Sequence, residues 1–184
     1  MTRSHAGFSL IEVLVSIVVL AVGVLGVARM QLNTLLSTRQ MAFRSAAVQL
    51  ASEMADKIRE NAASAQDGEN PFLGIDYSSN VDEPAVQSAA CFNATLCNAR
   101  QIAEFDIHEW EKQMQAVLPS GRARICRDDA PWDEGARTYR WECSGSGPMV
   151  VKIGWRGRVA DSASEGNDRA FFPAVVMSVG AYRA

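Results

Sequence analysis

The hydrophobic rhythm of the chain changes twice. From Phe8 to Ala28, 21 consecutive residues are apolar or small, and Glu12 is the one charge among them. A helix of about 20 such residues crosses a bilayer. Beyond Met30 the continuous run gives way to apolar positions at Leu32, Leu35, Leu36, Phe43, Ala47, Leu50, Met54 and Ile58. Steps of three, four and seven place these on one helical face. Asn33, Arg39, Arg44, Gln49, Glu53, Asp56 and Arg59 occupy the other. No proline occurs before Pro71, so the spacing predicts one long helix over 8–63, with a membrane half at 8–28. Such a helix is about 80 Å long at ~1.5 Å per residue. The breakers in "SAQDGENP" (64–71) end it.

Residues 64–98 read as a loop-rich connector, with Pro71, Gly74, Ser78, Ser79, Asn80 and Pro84. A second helix is predicted at 99–118, with Ala103, Ile107, Trp110, Met114 and Val117 on one face and Pro119-Ser120-Gly121 as its stop. The period then shortens to two. Strands are predicted at 122–128, 138–144, 150–159 and 173–182. In the third, Val151, Ile153 and Trp155 point inward, against Lys152, Arg156 and Arg158. In the last, Val175, Met177 and Val179 point inward. The expected fold class is α+β: a long N-terminal helix packed on a roughly four-stranded antiparallel sheet. The globular domain would be 99–184 together with the C-terminal half of the long helix.

Glu12 decides between readings of the N-terminus. A carboxylate inside an apolar span costs about 2.5–3.5 kcal/mol on insertion scales. A cleaved secretory signal ending at Gly26-Val27-Ala28, or a plain anchor, leaves that cost without a return. The stretch "GFSLIEVLVSIVVLAVGVLG" resembles the processing motif of type IV prepilins and pseudopilins. The resemblance covers about 20 residues, with glycine, phenylalanine, glutamate and the uncharged run in register. It implies a leader at 1–7, cleavage by a prepilin peptidase between Gly7 and Phe8, and N-methylation of Phe8. Glu12 becomes the fifth mature residue, an assembly group that meets the N-terminal amine of a neighbouring subunit. The pairing is physically apt, because a buried charge is tolerated when compensated.

The resemblance also implies the pilin-like layout, in which the N-terminal half of the helix bundles with other subunits. Gly23 and Gly26 lie where such a helix loosens or approaches a neighbour. Two features depart from many major pilins: no proline stands in the membrane half, and no late disulfide brackets the C-terminus. Length, four cysteines, the Leu118-Pro119…Gly121 stop and the Val151–Trp155 strand look most like minor pilins of the pilus-modification kind. Such a protein would prime pilus assembly within an initiation or tip complex. The implied partners are the prepilin peptidase, other minor pilins, the major pilin, a tip adhesin and the inner membrane, with the globular domain in the periplasm. The alternatives are a pseudopilin of a type II secretion system, and a minor pilin binding DNA or surfaces.

Cys91, Cys97, Cys126 and Cys143 all follow the apolar run, and an even count behind a membrane-directed N-terminus points to disulfides. Zinc competes less well, because 5, 28 and 16 residues separate successive cysteines and no C-x2-C pair exists. The preferred pairs are Cys91–Cys97, a small local loop, and Cys126–Cys143, across neighbouring strands.

Enzymatic chemistry is not expected. His108-Glu109 begins like H-E-x-x-H, but Lys112 stands where the second histidine belongs, and His5 leaves with the leader. His108 reads as a surface residue. Asp67, Glu69 and Asp76, or Asp128, Asp129, Asp133 and Glu134, lack calcium-loop spacing and read as solvated loop charge. No cofactor is implied. Arg137, Arg140, Lys152, Arg156 and Arg158, near Trp141 and Trp155, suggest a basic outer face. A net charge of −3 nevertheless argues against nucleic acid as a bulk-electrostatic partner.

Overall fold

The computed structural model describes residues 9–61, 70–84, 91, 97–156 and 171–180. Helix α1 runs from Leu10 to Glu60 without a break. It is followed by strand β1 (Asp76–Ser78), helix α2 (Ala99–Val117), and strands β2 (Arg122–Arg127), β3 (Trp132–Asp133), β4 (Thr138–Tyr139), β5 (Met149–Gly154) and β6 (Val175–Ser178). The chain divides into two compact units, Met1–Met41 and Ala42–Ala184. The architecture is α+β, with one antiparallel four-stranded sheet in the order β1-β2-β5-β6 and a separate β3–β4 hairpin.

In the first unit, side chains from Leu10 through Met41 are exposed on all sides, apart from a half-buried Leu36. In the second, the same helix buries Ala47, Leu50, Ala51, Met54, Ala55 and Ile58, and Phe43 and Ala46 pack at the margin. The covered part of the stripe therefore begins at Phe43. Leu32 and Leu35, on the same predicted face, belong to the exposed unit.

Helix α2 starts with a reciprocal cap: Asn98 Oδ1 accepts from the Gln101 amide, and Gln101 Oε1 accepts from the Asn98 amide. It lies against α1 through Ala103, Ile107, Trp110 and Met114. The buried Trp110 indole donates to the Leu50 carbonyl at 2.9 Å, and Lys57 pairs with Asp106 at 2.6 Å. Val117 departs from the predicted face and is 44% exposed. The helix ends there, and Leu118, in extended conformation, turns into the core instead.

The strand register puts Tyr77, Ala123, Ile153 and Val175 in one row and Ile125, Val151 and Met177 in the next. Alternation sends all seven to one face of the sheet, where they join the helices in a single hydrophobic core. Two strand predictions need correction. Strand β1 lies inside the segment expected to be loop, and it supplies the fourth strand of the sheet in place of 138–144. Within 138–144 only Thr138 and Tyr139 are extended in a ladder, and they pair with Trp132 and Asp133. The carbonyls of Arg140 and Glu142 accept from Lys152 Nζ rather than from a neighbouring strand.

Candidate functional site

Glu12 stands in the first turn of α1, where a negative charge meets the positive end of the helix dipole. Its backbone amide donates to the Ser9 carbonyl at 3.0 Å. Around it Leu10, Ile11, Val13, Leu14, Val15 and Ile17 are all exposed, Leu10 at 86%. The most apolar window of this helix has a mean hydropathy of 2.8 and no buried residue. By length and composition the segment suffices to cross a membrane. Its polar groups are handled unequally. Ser16 Oγ donates to the Glu12 carbonyl at 2.7 Å, so that hydroxyl is satisfied within the helix, as apolar surroundings require. Among the described residues nothing hydrogen-bonds the Glu12 carboxylate. A charge in an apolar span is costly unless it is paired. Gly7 and Phe8, the expected cleavage and methylation positions, lie outside the described residues. Gly23 and Gly26 are part of regular helix, with open space where a Cβ would stand.

The residues weighed as chemistry elsewhere do not converge. Lys152, expected on an outer face, is fully buried, and its ammonium lies 2.5 Å from Asp128 Oδ2. The reason is that β5 is a central strand with both faces covered. Opposite the core face, Gly154 is crowded by Trp141, Phe171 and the Phe172 carbonyl. The remaining members of the basic set are scattered. Arg137 is exposed at a turn, Arg140 and Arg156 are half-buried, and Arg158 lies outside the described residues. Trp155 does face the core, and Trp141 is buried beneath the Arg122 guanidinium at 4.4 Å.

Of the acidic sets, Asp129 and Glu134 are exposed as expected, while Asp76 and Asp128 are engaged in structure. Asp76 receives two hydrogen bonds from Arg122, each 3.0 Å long. Asp128 is 1% exposed. Burial pushes its carboxyl up, but the Lys152 ammonium and the Ala130 and Ser144 amides outweigh this and hold it below the usual carboxylate range. Hydrogen bonds involving the Ser144 and Ser146 hydroxyls lower Asp129. Asp133 Oδ1 accepts from the Ala136 amide. Asp67 and Glu69 lie outside the described residues. Among the described residues no cluster of metal-ligating side chains occurs. His108 is half-buried rather than on the open surface, and its Nε2 lies 3.8 Å from Glu109.

Cys91 is joined to Cys97 and Cys126 to Cys143, with Cα separations of 5.9 and 6.3 Å. Cys143 stands on no strand, so its bridge ties β2 to the segment leaving the β3–β4 hairpin. Sequence reasoning missed the Asp128–Lys152 pair. The available signal was a lone lysine inside an otherwise apolar six-residue strand, "MVVKIG".

Against known proteins, residues 2–28 match the prokaryotic N-terminal methylation motif. No curated protein and no solved structure matches the chain. The motif supports a type IV pilin or pseudopilin, and together with the apolar helix it fits a membrane-anchored one.

Proposed function

We propose that this chain is a minor pilin that primes assembly of a type IV pilus in an initiation or tip complex with other minor pilins. It would be most like the pilus modification protein PilV. The observation that carries the reading is a Glu12 carboxylate with no hydrogen-bond partner among the described residues, on an exposed apolar helix and within a segment matching the methylation motif. Cleavage after Gly7 would free the Phe8 amine, and the amine of one subunit would meet Glu12 of the next. Low dielectric strengthens that attraction, and pairing removes the cost of holding the charge in the membrane. The apolar face from Leu10 to Met41 would bundle with neighbouring helices, while the folded unit from Ala42 onward selects partners. A preassembled complex of such subunits lowers the barrier to starting a filament, because the major pilin need not nucleate unaided. The inner membrane holds the subunit before assembly, with a tip adhesin as a further partner.

The same helix chemistry also suits a pseudopilin of a type II secretion system. Deleting the chain in its host separates the two. A priming minor pilin requires that surface pili fall sharply while secreted enzymes remain at normal levels. Loss of secretion with pili intact overturns the pilus reading in favour of the pseudopilin. A DNA-binding role has less support, since Lys152 is withdrawn from the basic set.

A further inference from the structure

A cleft of about 370 Å³ lies between β1 and α2. Pro71, Ile75 and Ile107 give it apolar walls, and its polar lining is Tyr77 with the carboxylates of Asp76, Asp82, Glu83 and Glu111. Among the described residues no lysine or arginine lines it. Asp76 is answered from elsewhere. Alternation turns it, with Arg122 and Arg124, to the sheet face opposite Tyr77. There Arg122 donates to it twice, and Arg124 lies 3.8 Å away. The charge of the cleft itself therefore comes from Asp82, Glu83 and the buried Glu111. Asp82 is half-buried and held in place: its Oδ2 accepts from the Ser78 amide at 2.7 Å, and among the described residues nothing donates to its Oδ1.

Tyr77 supplies an independent sign. It is 3% exposed, yet its hydroxyl has no hydrogen-bond partner. Buried hydroxyls are nearly always paired, so an unpaired one in the lining of a cleft is what a missing occupant leaves. Burial, then Glu111, then Asp82 push its pKa up to about 12, so the phenol stays neutral and its oxygen can accept. The same two carboxylates make the potential at that hydroxyl negative, which favours a cation. The chain does not supply one readily. It has three lysines, and each already meets a carboxylate: Lys57 has Asp106, Lys112 has Glu109 and Lys152 has Asp128. The neighbouring stretches 62–69, 85–90 and 92–96 contain no lysine or arginine. Among the described residues no cluster of side chains is placed to hold a metal ion.

We propose that the cleft between β1 and α2 is a socket for a lysine side chain of a neighbouring filament subunit. This inference rests on the assembly reading above. The methylene stem lies along Pro71, Ile75 and Ile107, as the stems of long cationic side chains do on apolar surface. The ammonium brings three donors to Asp82, Glu111 and the Tyr77 oxygen, and so gives the orphaned hydroxyl its partner. A compact ammonium suits acceptors that belong to separate groups, whereas the flat fork of arginine suits a single carboxylate.

The test uses the full-length chain assembled in its own host. A carbodiimide joins a carboxylate to an amine in contact with it, so filaments are treated with it and the adducts identified by mass spectrometry. The expected result is an amide from Asp82 or Glu83 to a lysine of another filament subunit, and none from Glu134, an exposed carboxylate outside the cleft. Asp82→Asn keeps an acceptor for the Ser78 amide and should lower incorporation about tenfold. Tyr77→Phe separates docking from folding. The hydroxyl makes no hydrogen bond within the chain, so thermal unfolding should be unchanged or higher while incorporation falls about fivefold. Wild-type incorporation of both variants, or equal amides from Glu134 and the cleft, overturns the socket and leaves the assembly reading standing. Reduced incorporation of Asp82→Asn with no amide to another subunit overturns lysine as the occupant and points to arginine. If removing the whole chain leaves filament number unchanged, the assembly reading itself fails.

Discussion

The two halves of α1 use one kind of secondary structure in opposite ways. From Leu10 to Met41 the apolar side chains other than half-buried Leu36 are exposed, and among the described residues none covers them. From Ala42 to Glu60 a narrower stripe is sealed by α2 and the sheet, with Ala47, Ala51, Met54 and Ala55 fully buried. The contrast is also electrostatic. Among the described residues Glu12 has no hydrogen-bond partner for its carboxylate, whereas the buried Lys152 has a carboxylate and two carbonyls. A buried charge in the folded unit is compensated within the chain, and the proposed assembly would compensate the charge in the apolar half from outside it. On the proposed reading, the energetics of the first half belong to an assembly and those of the second to the monomer.

Substitutions in each half should break different properties. The largest effect is expected from Lys152→Met, which strands the Asp128 carboxylate in the interior and should cost about 3–5 kcal/mol in chemical unfolding. Combining it with Asp128→Leu removes the stranded charge and should recover most of that loss. The acid responses should also differ in sign. In the natural chain the depressed Asp128 carboxyl contributes stability that is present above its unfolded pKa near ~4 and lost as pH falls through the folded value. In Lys152→Met the carboxyl is desolvated and unpaired, its folded pKa rises, and mild acid should stabilise the variant.

Glu12→Leu should behave in the opposite manner. Unfolding of the globular unit is expected to be unchanged, while incorporation into filaments falls by roughly 10²–10³-fold, the equivalent of breaking one compensated pair in low dielectric. Measuring thermal unfolding and filament content on the same samples tests both parts. Opening the Cys126–Cys143 bridge by a double serine substitution should cost about 3 kcal/mol for a sequence separation of 17. Asn98→Ala, which removes one half of the reciprocal cap on α2, should cost about 1 kcal/mol.

The helices were legible in the sequence because their signal is long and repeats at 3.6 residues. Alternation likewise placed Val151, Ile153 and Val175 correctly on the core face. It failed where a short segment met a tertiary demand. Strand β1 has only three residues, set among the glycine, serine and proline of a connector. The stretch 138–144 alternates like a strand, but two of its carbonyls are turned to the Lys152 ammonium. Lys152 was misread for a related reason, since period two says which face a residue occupies and not whether that face is wet. Of the functional segment, the Glu12 anomaly was visible as one charge in an apolar run. The Asp128–Lys152 pair was not, because its members are 24 residues apart and become neighbours only in the fold.

The central claim is that the first residues form a processed assembly segment. Its most direct test is the intact mass and N-terminal sequence of the protein recovered from its native membrane. The account predicts a chain that begins at N-methylated Phe8. A chain that begins at Met1, or at Arg29 after cleavage behind Gly26-Val27-Ala28, would contradict it.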